Sequence, residues 1–381
     1  MRIAFVPHAY PPALGGAELY TKGLAEAVAA AGHDVHIVTT DRMSAEAFYE
    51  AGHARVSDTA VTTAGLSVHR IRLGSGRRLF RRSSGTYGVK TAHRIWRRYA
   101  LSVARMLDGL KPDATVVLPH AFPNVHAVFD APPPGHLVYA PMLHEDDPAW
   151  DHETIADLVR RADMVLAMTR REQERLVNAY GAPKTATVIV PPGVDAPDVD
   201  TVSDLEDPHS GPYVVSVGRR VQNKHLSATA SVVADLRSSG VDLRFLVIGP
   251  PGEQQVDREL ANHGEAVELI GEVDDATKWQ LIRGAVASVS MSDRESFGIA
   301  TIEAWRMQTP VICRRGTASD ELIDHGTTGL IVESPSELRT ALQQILNNPA
   351  KASAIAIDGY QASLRFSWKS AAEALLDRLG S

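Results

Sequence analysis

Cysteine is nearly absent: one residue in 381, Cys313, which excludes an intramolecular disulfide and any metal site built on several thiolates. Its place in the apolar run 310–313 reads as a buried strand position rather than a nucleophile, and a reducing cytoplasm fits. Also missing is any apolar run near the ~18 residues that cross a bilayer, so no membrane-spanning helix is expected. The apolar start, residues 1–7, is too short for a secretory leader and runs into a Pro/Gly loop; it reads as a first strand. Acid is missing from one stretch, since residues 59–107 hold eleven Lys and Arg and no Asp or Glu.

The net charge is −7, so the rest of the chain, with 28 basic against 46 acidic residues, stands at −18. Arg77, Arg78, Arg81 and Arg82 lie on a Gly/Ser-rich loop, and a helical stretch with Lys90, Arg94, Arg97, Arg98 and Arg105 follows. Such a patch attracts anions. An anionic membrane, a lipid phosphate acceptor, an anionic glycan and a merely solvated basic face all remain open. Nucleic acid is not expected, because aromatic interleaving and known binding motifs are missing.

The length favours two domains at roughly 150 residues each. Apolar strand-like runs alternate with helical ones, at 3–6, 17–31 (helical), 35–39, 114–118, 137–141, 164–168 and 187–190. This is the grammar of a doubly wound α/β sheet covered on both faces. A Pro- and Asp-rich linker, 194–212, separates residues 1–193 from a second alternating series over 213–356. Residues 357–381 read as a terminal helical segment containing Phe366 and Trp368.

The densest chemistry lies at 292–304, where Glu295 and Glu303 stand eight residues apart around Phe297-Gly298. Glu295 falls at a strand end and Glu303 inside the following helix, where ligands of open α/β sheets collect and helix N–H groups attract phosphate. Taken alone, the segment fits either a solvent-facing acidic loop or such a site. Gly15-Gly16, before Glu18, either forms a plain loop or lets backbone approach a ligand closely. Arg219 and Lys224 follow the first strand of the second series; His120 and His144 follow strands of the first. Each histidine is either a satisfied hydrogen-bonding residue or part of a site. Asp198-Val199-Asp200 has the spacing of a metal-binding D-x-D, but it sits in the linker instead of at a buried strand end, so no metal is expected.

The segment 292–304 resembles the Glu-x7-Glu motif of retaining family-four glycosyltransferases with the GT-B fold, whose pattern is S-x-x-E-x-F-G-x-x-x-x-E-A. Residues 218–224 resemble that family's G-R-x-x-x-x-K segment and residues 11–18 its first glycine-rich loop, so the resemblance spans nearly the whole chain. It implies two Rossmann-like domains facing a cleft, with the last helix returning to the first domain. It further implies that Glu295 lies near the transferred sugar and Glu303 binds the donor ribose, with Phe297, Gly298 and Ile299 between them on the donor. Arg219 and Lys224 would hold the diphosphate, and backbone at Ile270 and Val273 the base; Gly15 and Gly16 would lie near the donor phosphates. Glu18, His120 and His144 would face the acceptor, and no cofactor or metal is implied.

Two positions depart from the pattern: Thr317-Ala318 replaces Gly-Gly beside the expected sugar, and Gln308 replaces a Gly suited to a left-handed helix stop. The expectation is a cytoplasmic enzyme, with peripheral membrane association open, that moves a sugar from a nucleotide diphosphate donor to a hydroxyl acceptor. The base stays open among UDP, GDP and ADP, with UDP placed ahead of GDP. A non-catalytic nucleotide-sugar binder and a GT-B epimerase or phosphorylase are the alternatives. A Rossmann dehydrogenase is disfavoured, because no G-x-G-x-x-G follows the first strand.

Overall fold

The computed structural model describes all residues except 14, 42–55, 57–59, 64, 73–96, 121–122, 144–151, 204–208, 210 and 381, and describes the backbone alone at 60–63 and 203. The chain divides into two compact units, one of residues 1–193 with 368–381, the other of residues 194–367. His144 and the arginines at 77, 78, 81 and 82, with Lys90 and Arg94, lie outside the described residues.

The first unit is built on β1 (Arg2–Pro7), β2 (Asp34–Thr40), β3 (Ala60–Thr63), β4 (Leu66–Ile71), β5 (Ala114–Leu118), β6 (His136–Tyr139), β7 (Met164–Ala167) and β8 (Thr187–Ile189). They form one sheet in the order β3-β4-β2-β1-β5-β6-β7-β8. All neighbours are parallel except β3, which runs antiparallel on the edge beside β4. Strand β4 was not anticipated, although Leu66, Val68 and Ile71 turn inward along it. Helices α1 (Gly16–Ala30), α2 (Arg97–Leu110), α3 (Pro123–Phe129), α4 (His152–Arg161) and α5 (Arg170–Asn178) supply the covering layers. Val103, Leu107, Val128, Phe129 and Val159 pack with Val6 and Val117 in one continuous apolar cluster.

The second unit carries β9 (Tyr213–Val217), β10 (Arg244–Ile248), β11 (Val267–Gly271), β12 (Ala287–Ser290), β13 (Val311–Arg314) and β14 (Leu330–Val332). Their order is β11-β10-β9-β12-β13-β14, all parallel, so the winding reverses between β9 and β12. That reversal is where ligands settle in open α/β sheets, outside the carboxyl ends of the strands. The helices are α6 (Val199–Ser203), α7 (Leu226–Ser238), α8 (Gln254–Ala261), α9 (Asp275–Gly284), α10 (Ile299–Arg306), α11 (Ser319–Leu322), α12 (Pro335–Asn347) and α13 (Pro349–Ser363). Strand alternation feeds two faces: Val214 and Val247 join the cluster under α7 and α12, while Val215 and Ile248 join Leu281 of α9 and Ala285 just after it.

Two segments differ from expectation. Residues 194–203 belong to the second unit rather than to a free linker, because Val199 and Val202 of α6 are buried. The tail is not one helix. It breaks after α13, and α14 (Trp368–Leu379) packs against α1 within the first unit, where Tyr20 meets Trp368 edge-on. A Cβ on Gly23 would lie 2.0 Å from the Trp368 ring, so glycine is what lets the two helices meet. The break frees Phe366 to bury its ring edge-on against Phe297, a contact that an unbroken helix would forgo.

Helix α10 ends in a left-handed cap made by Gln308, with φ of 49°. Gln308 donates to the Trp305 carbonyl and Thr309 to that of Ala304, the paired bonds of a Schellman motif. The cap is therefore kept despite the missing glycine.

One carboxylate of the first unit is buried without a cation in bonding contact. Glu172, in the first turn of α5, accepts from the Leu143 and Met168 N–H groups at 2.7 and 2.8 Å, and its own N–H donates to Thr169 Oγ1. It thereby ties the segment after β6 to the end of β7. Burial pushes its carboxyl up to about 7, the two backbone donors partly opposing.

Gln308→Gly should raise the unfolding free energy by about 1 kcal/mol, by relieving the left-handed strain of a side-chain-bearing residue, and denaturant midpoints would register it. Because the folded carboxyl of Glu172 titrates above its unfolded value, its stability contribution is fully present below the unfolded value and is lost as pH rises through about 7. The wild-type Tm should therefore fall between pH 5 and pH 8 relative to Glu172→Gln, by an amount equivalent to about 3 kcal/mol. Parallel Tm profiles would show that Glu172 does not titrate in this window.

Candidate functional site

The site of the second unit begins with a backbone constraint at the carboxyl edge of β9. Gly218, with φ of 145°, donates its N–H to the Ile248 carbonyl, and a Cβ on Gly249 would lie 2.4 Å from the Gly218 carbonyl oxygen. Gly252 likewise abuts the Arg220 carbonyl. Only bare backbone fits there, and the turn 219–224 is consequently held close to the end of β10. Arg220 fastens it from beneath, its buried guanidinium forking onto Asp257 at 2.5 and 3.3 Å and donating to the Gly249 carbonyl. Arg220 is structural, whereas Arg219 beside it is exposed.

The same turn meets the end of β12. The Asn223 carbonyl accepts from the Asp293 N–H and the Ser292 hydroxyl, and the left-handed His225 pairs with Asp293 at 2.8 Å. This brings Lys224 Nζ to 2.6 Å from Glu295 Oε2, with side chains 26% and 19% exposed. At such burial the pair is less screened than a surface ion pair.

Gly298 then opens α10 in the left-handed conformation, with φ of 93°. Ser319 Oγ would stand 3.0 Å from a Cβ there, so a side chain is disfavoured by both strain and crowding. Phe297 is buried beneath, and Ile299 starts the helix whose first-turn N–H groups face the strand ends. Thr317-Ala318 lines this place directly, since the Ala318 N–H donates to the Glu295 carbonyl. Thr317 is buried, and its Oγ1 accepts from the Ser319 N–H.

One turn into α10, Glu303 is buried, 10% exposed, and accepts from Lys278 Nζ at 3.0 Å. Lys278 also reaches Asp275 at 3.2 Å and lies 4.4 Å from the centre of the Trp279 ring. Burial holds the Glu303 carboxyl above the ordinary carboxylate range, with the Lys278 ammonium opposing. Burial works against the Lys278 charge, but Glu303 and Asp275 outweigh it and hold its pKa above the usual value. Ile270 and Val273 are half-buried against Tyr213, Val215 and Leu281, leaving their backbone beside the carboxyl end of β11. Cys313 lies beneath α10, buried and 3.5 Å from Thr301 Oγ1, with burial pushing its thiol up to about 11. That is an inert strand position.

In the first unit, Glu18 is buried and pairs with His8 at 3.0 Å. Its carboxylate folds back so that a Cβ on Gly15 would fall 2.3 Å from Oε2, which gives Gly15 an internal reason to be glycine. A Cβ on Gly16 would meet nothing within 4 Å. His120 is buried and pairs through Nδ1 with the Tyr139 hydroxyl. Asp198 accepts from the Asp200 N–H at 2.9 Å, which makes it the cap of α6. Among the described residues no cluster of three or more His, Cys, Asp or Glu could hold a metal, and no helix is long and apolar enough to cross a membrane.

Sequence reading missed His8 and Lys278. The rule that singled out His120, a histidine just after a strand, applies equally to His8 after β1. Lys278 carried no such signal, because its partner lies 25 residues away on another helix.

Comparison with known proteins agrees with this architecture. The family model described as glycosyl transferases group 1 matches residues 202–362, and that described as glycosyltransferase family 4 matches residues 14–197. The D-inositol 3-phosphate glycosyltransferase of Rhodococcus opacus is 28% identical over 245 residues, covering 58% of this chain and 53% of that protein. Its Rhodococcus erythropolis counterpart is 29% identical over 248 residues, covering 58% and 54%. These matches span about half the length of the curated relatives. Among solved structures, sucrose-phosphate synthase from Thermosynechococcus elongatus superposes with a TM-score of 0.77 at 17% identity, over 99% of this chain and 98% of the other. The Anabaena HepE protein in complex with UDP and glucose gives 0.72 at 17% identity, over 100% and 99%. The fold is therefore GT-B, and with the two models matching adjoining halves the chain belongs to the family-four, group 1 glycosyltransferases.

Proposed function

We propose that this chain is a retaining glycosyltransferase that moves a sugar from a nucleotide diphosphate donor, UDP ahead of GDP, to a hydroxyl acceptor. The observation that carries the reading is the pair of acids at the winding reversal, each held by a lysine: Glu295 by Lys224 and Glu303 by Lys278. The HepE complex with UDP and glucose, which shares this fold, supports a UDP-linked donor. In the reading, the first turn of α10 and the cations of Arg219 and Lys224 face the diphosphate, Glu303 takes the ribose hydroxyls, and backbone at Ile270 and Val273 takes the base.

In the reaction, the bond from the anomeric carbon to the diphosphate breaks and its electron pair stays on the phosphate oxygen. Arg219 and Lys224 stabilise that charge where water is excluded, so no metal is needed. The acceptor oxygen bonds to the same carbon from the same face, and its proton passes to the departing phosphate. Glu295 and nearby carbonyls stabilise the oxocarbenium-like centre. Because Lys224 is already paired, the donor must share it with Glu295, and Thr317-Ala318 sets the wall opposite the sugar.

Glu18, His120 and His144 contribute to the acceptor side. The acceptor class is a glycan, a glycolipid or a small-molecule glycoside, and the relatives named for D-inositol 3-phosphate add a phosphorylated polyol as the first to try. The basic segment around residues 70–105 fits such an anion or an anionic membrane surface, with the protein in the cytoplasm.

A panel of UDP-, GDP- and ADP-sugars with D-inositol 3-phosphate, read by mass spectrometry, should show transfer or slow donor hydrolysis, and NMR of the product should show the donor's anomeric configuration. Nucleotide binding without turnover would favour the non-catalytic alternative. Arg219→Ala and Lys224→Ala should each lower kcat about 100-fold or more with little change in Tm. Glu303→Ala should weaken nucleotide binding at least about tenfold, and an unchanged affinity contradicts the ribose role.

A further inference from the structure

Lys278 is an unusual partner for Glu303. It projects from the first turns of α9, a helix whose own N-cap is Asp274, and reaches sideways to the buried acid of α10. Its ammonium is used up by the protein: Glu303 Oε1 at 3.0 Å, Asp275 at 3.2 Å and the face of Trp279. Lys278 is therefore poorly placed to donate to a phosphate. Among the described residues no donor reaches Glu303 Oε2, although the side chain is only 10% exposed. One oxygen is anchored and the other is left open.

The other elements on α10 bring no competing charge to Glu303. Helix α13 presents Gly359 to Trp305, and β13 presents Cys313 to Thr301. The charged groups facing Glu303 are Lys278 and, behind it, Asp275. A buried carboxylate without a cation tends to take up a proton, and then offers a ribose one acceptor and one donor instead of two acceptors.

We infer, on the basis of the ribose role proposed above, that Lys278 is a positioning residue for nucleotide recognition: anchored by Asp275 and Trp279, it occupies Oε1 of Glu303 and keeps the carboxylate charged with Oε2 open to a ribose hydroxyl. Lys278 thereby sets the preference for ribose over 2′-deoxyribose without touching the nucleotide. A site built around hydroxyl donors rejects the analogue that lacks one, and that rejection needs the acceptor ionised.

The test is calorimetric titration of UDP and 2′-deoxy-UDP between pH 5.5 and 8.5 with the wild type, Lys278→Met, Lys278→Arg, Asp275→Asn and Glu303→Gln. Lys278→Met should lose about tenfold or more in UDP affinity at pH 7, recover as pH rises, and discriminate the two nucleotides as weakly as Glu303→Gln. Lys278→Arg should restore both affinity and discrimination. Asp275→Asn changes an exposed side chain and should fold whatever Lys278→Met does; a few-fold loss from the loosened Lys278 is expected, without alkaline recovery, because removing the Asp275 charge favours the ionised Glu303. Wild-type affinity, discrimination and pH profile in Lys278→Met and Asp275→Asn, with Glu303→Gln impaired, would overturn the inference and leave the ribose role standing. A wild type that binds none of UDP, GDP and ADP sinks the ribose role itself.

Discussion

The second unit depends on one steric constraint, the approach of two backbones at the carboxyl ends of β9 and β10. A Cβ on Gly249 would collide with the Gly218 carbonyl, Gly218 itself holds a φ of 145° that side-chain-bearing residues rarely adopt, and Arg220 with Asp257 closes the contact from below. Everything that follows is fixed in turn. The turn 219–224 cannot drift, so the Asn223 carbonyl meets Asp293 and Ser292, and Lys224 meets Glu295. A one-residue change in that turn would misplace the cation, not merely loosen it.

Charge is the second organising force, and three of the buried acids meet it in different ways. Glu303 is balanced by a lysine, Glu18 faces a histidine, and Glu172 relies on two backbone N–H groups alone. Burial costs a carboxylate several kcal/mol in principle, and an ammonium nearby offsets it better than neutral donors do. Glu172 titrates near neutrality for that reason, and it does so at the root of the segment that leads to His144. Glu295 is more exposed and is bridged directly by Lys224.

The departures from the family pattern are structural statements too. Gln308 accepts the left-handed cap that a glycine would adopt more readily, because Thr309 must still turn to reach the Ala304 carbonyl. Thr317-Ala318 does more: Ala318 bonds to the Glu295 backbone and Ser319 crowds Gly298, so this wall is stitched to the turn that carries Glu295. A bulkier or more flexible pair there would move Glu295 itself.

The alternation of apolar strands and amphipathic helices, the glycines at chain reversals, and the Glu-x7-Glu and Arg-to-Lys spacings were readable in the sequence because each is local. Period, turn chemistry and short spacing lie within a few residues, and they were enough for two Rossmann-like sheets, for placing Glu295, Arg219 and Lys224 at strand ends, and for placing Glu303 in the helix that follows. Strand β4, the capping role of Asp198, and the break that frees Phe366 were not readable, since each is decided by what the segment packs against. Only the tertiary structure paired Lys278 with Glu303, His8 with Glu18 and Glu172 with Leu143. These contacts join elements distant along the chain, and whether a charge is buried, paired or open depends on which surfaces the sheets bring within about 3 Å, a distance that no spacing rule encodes.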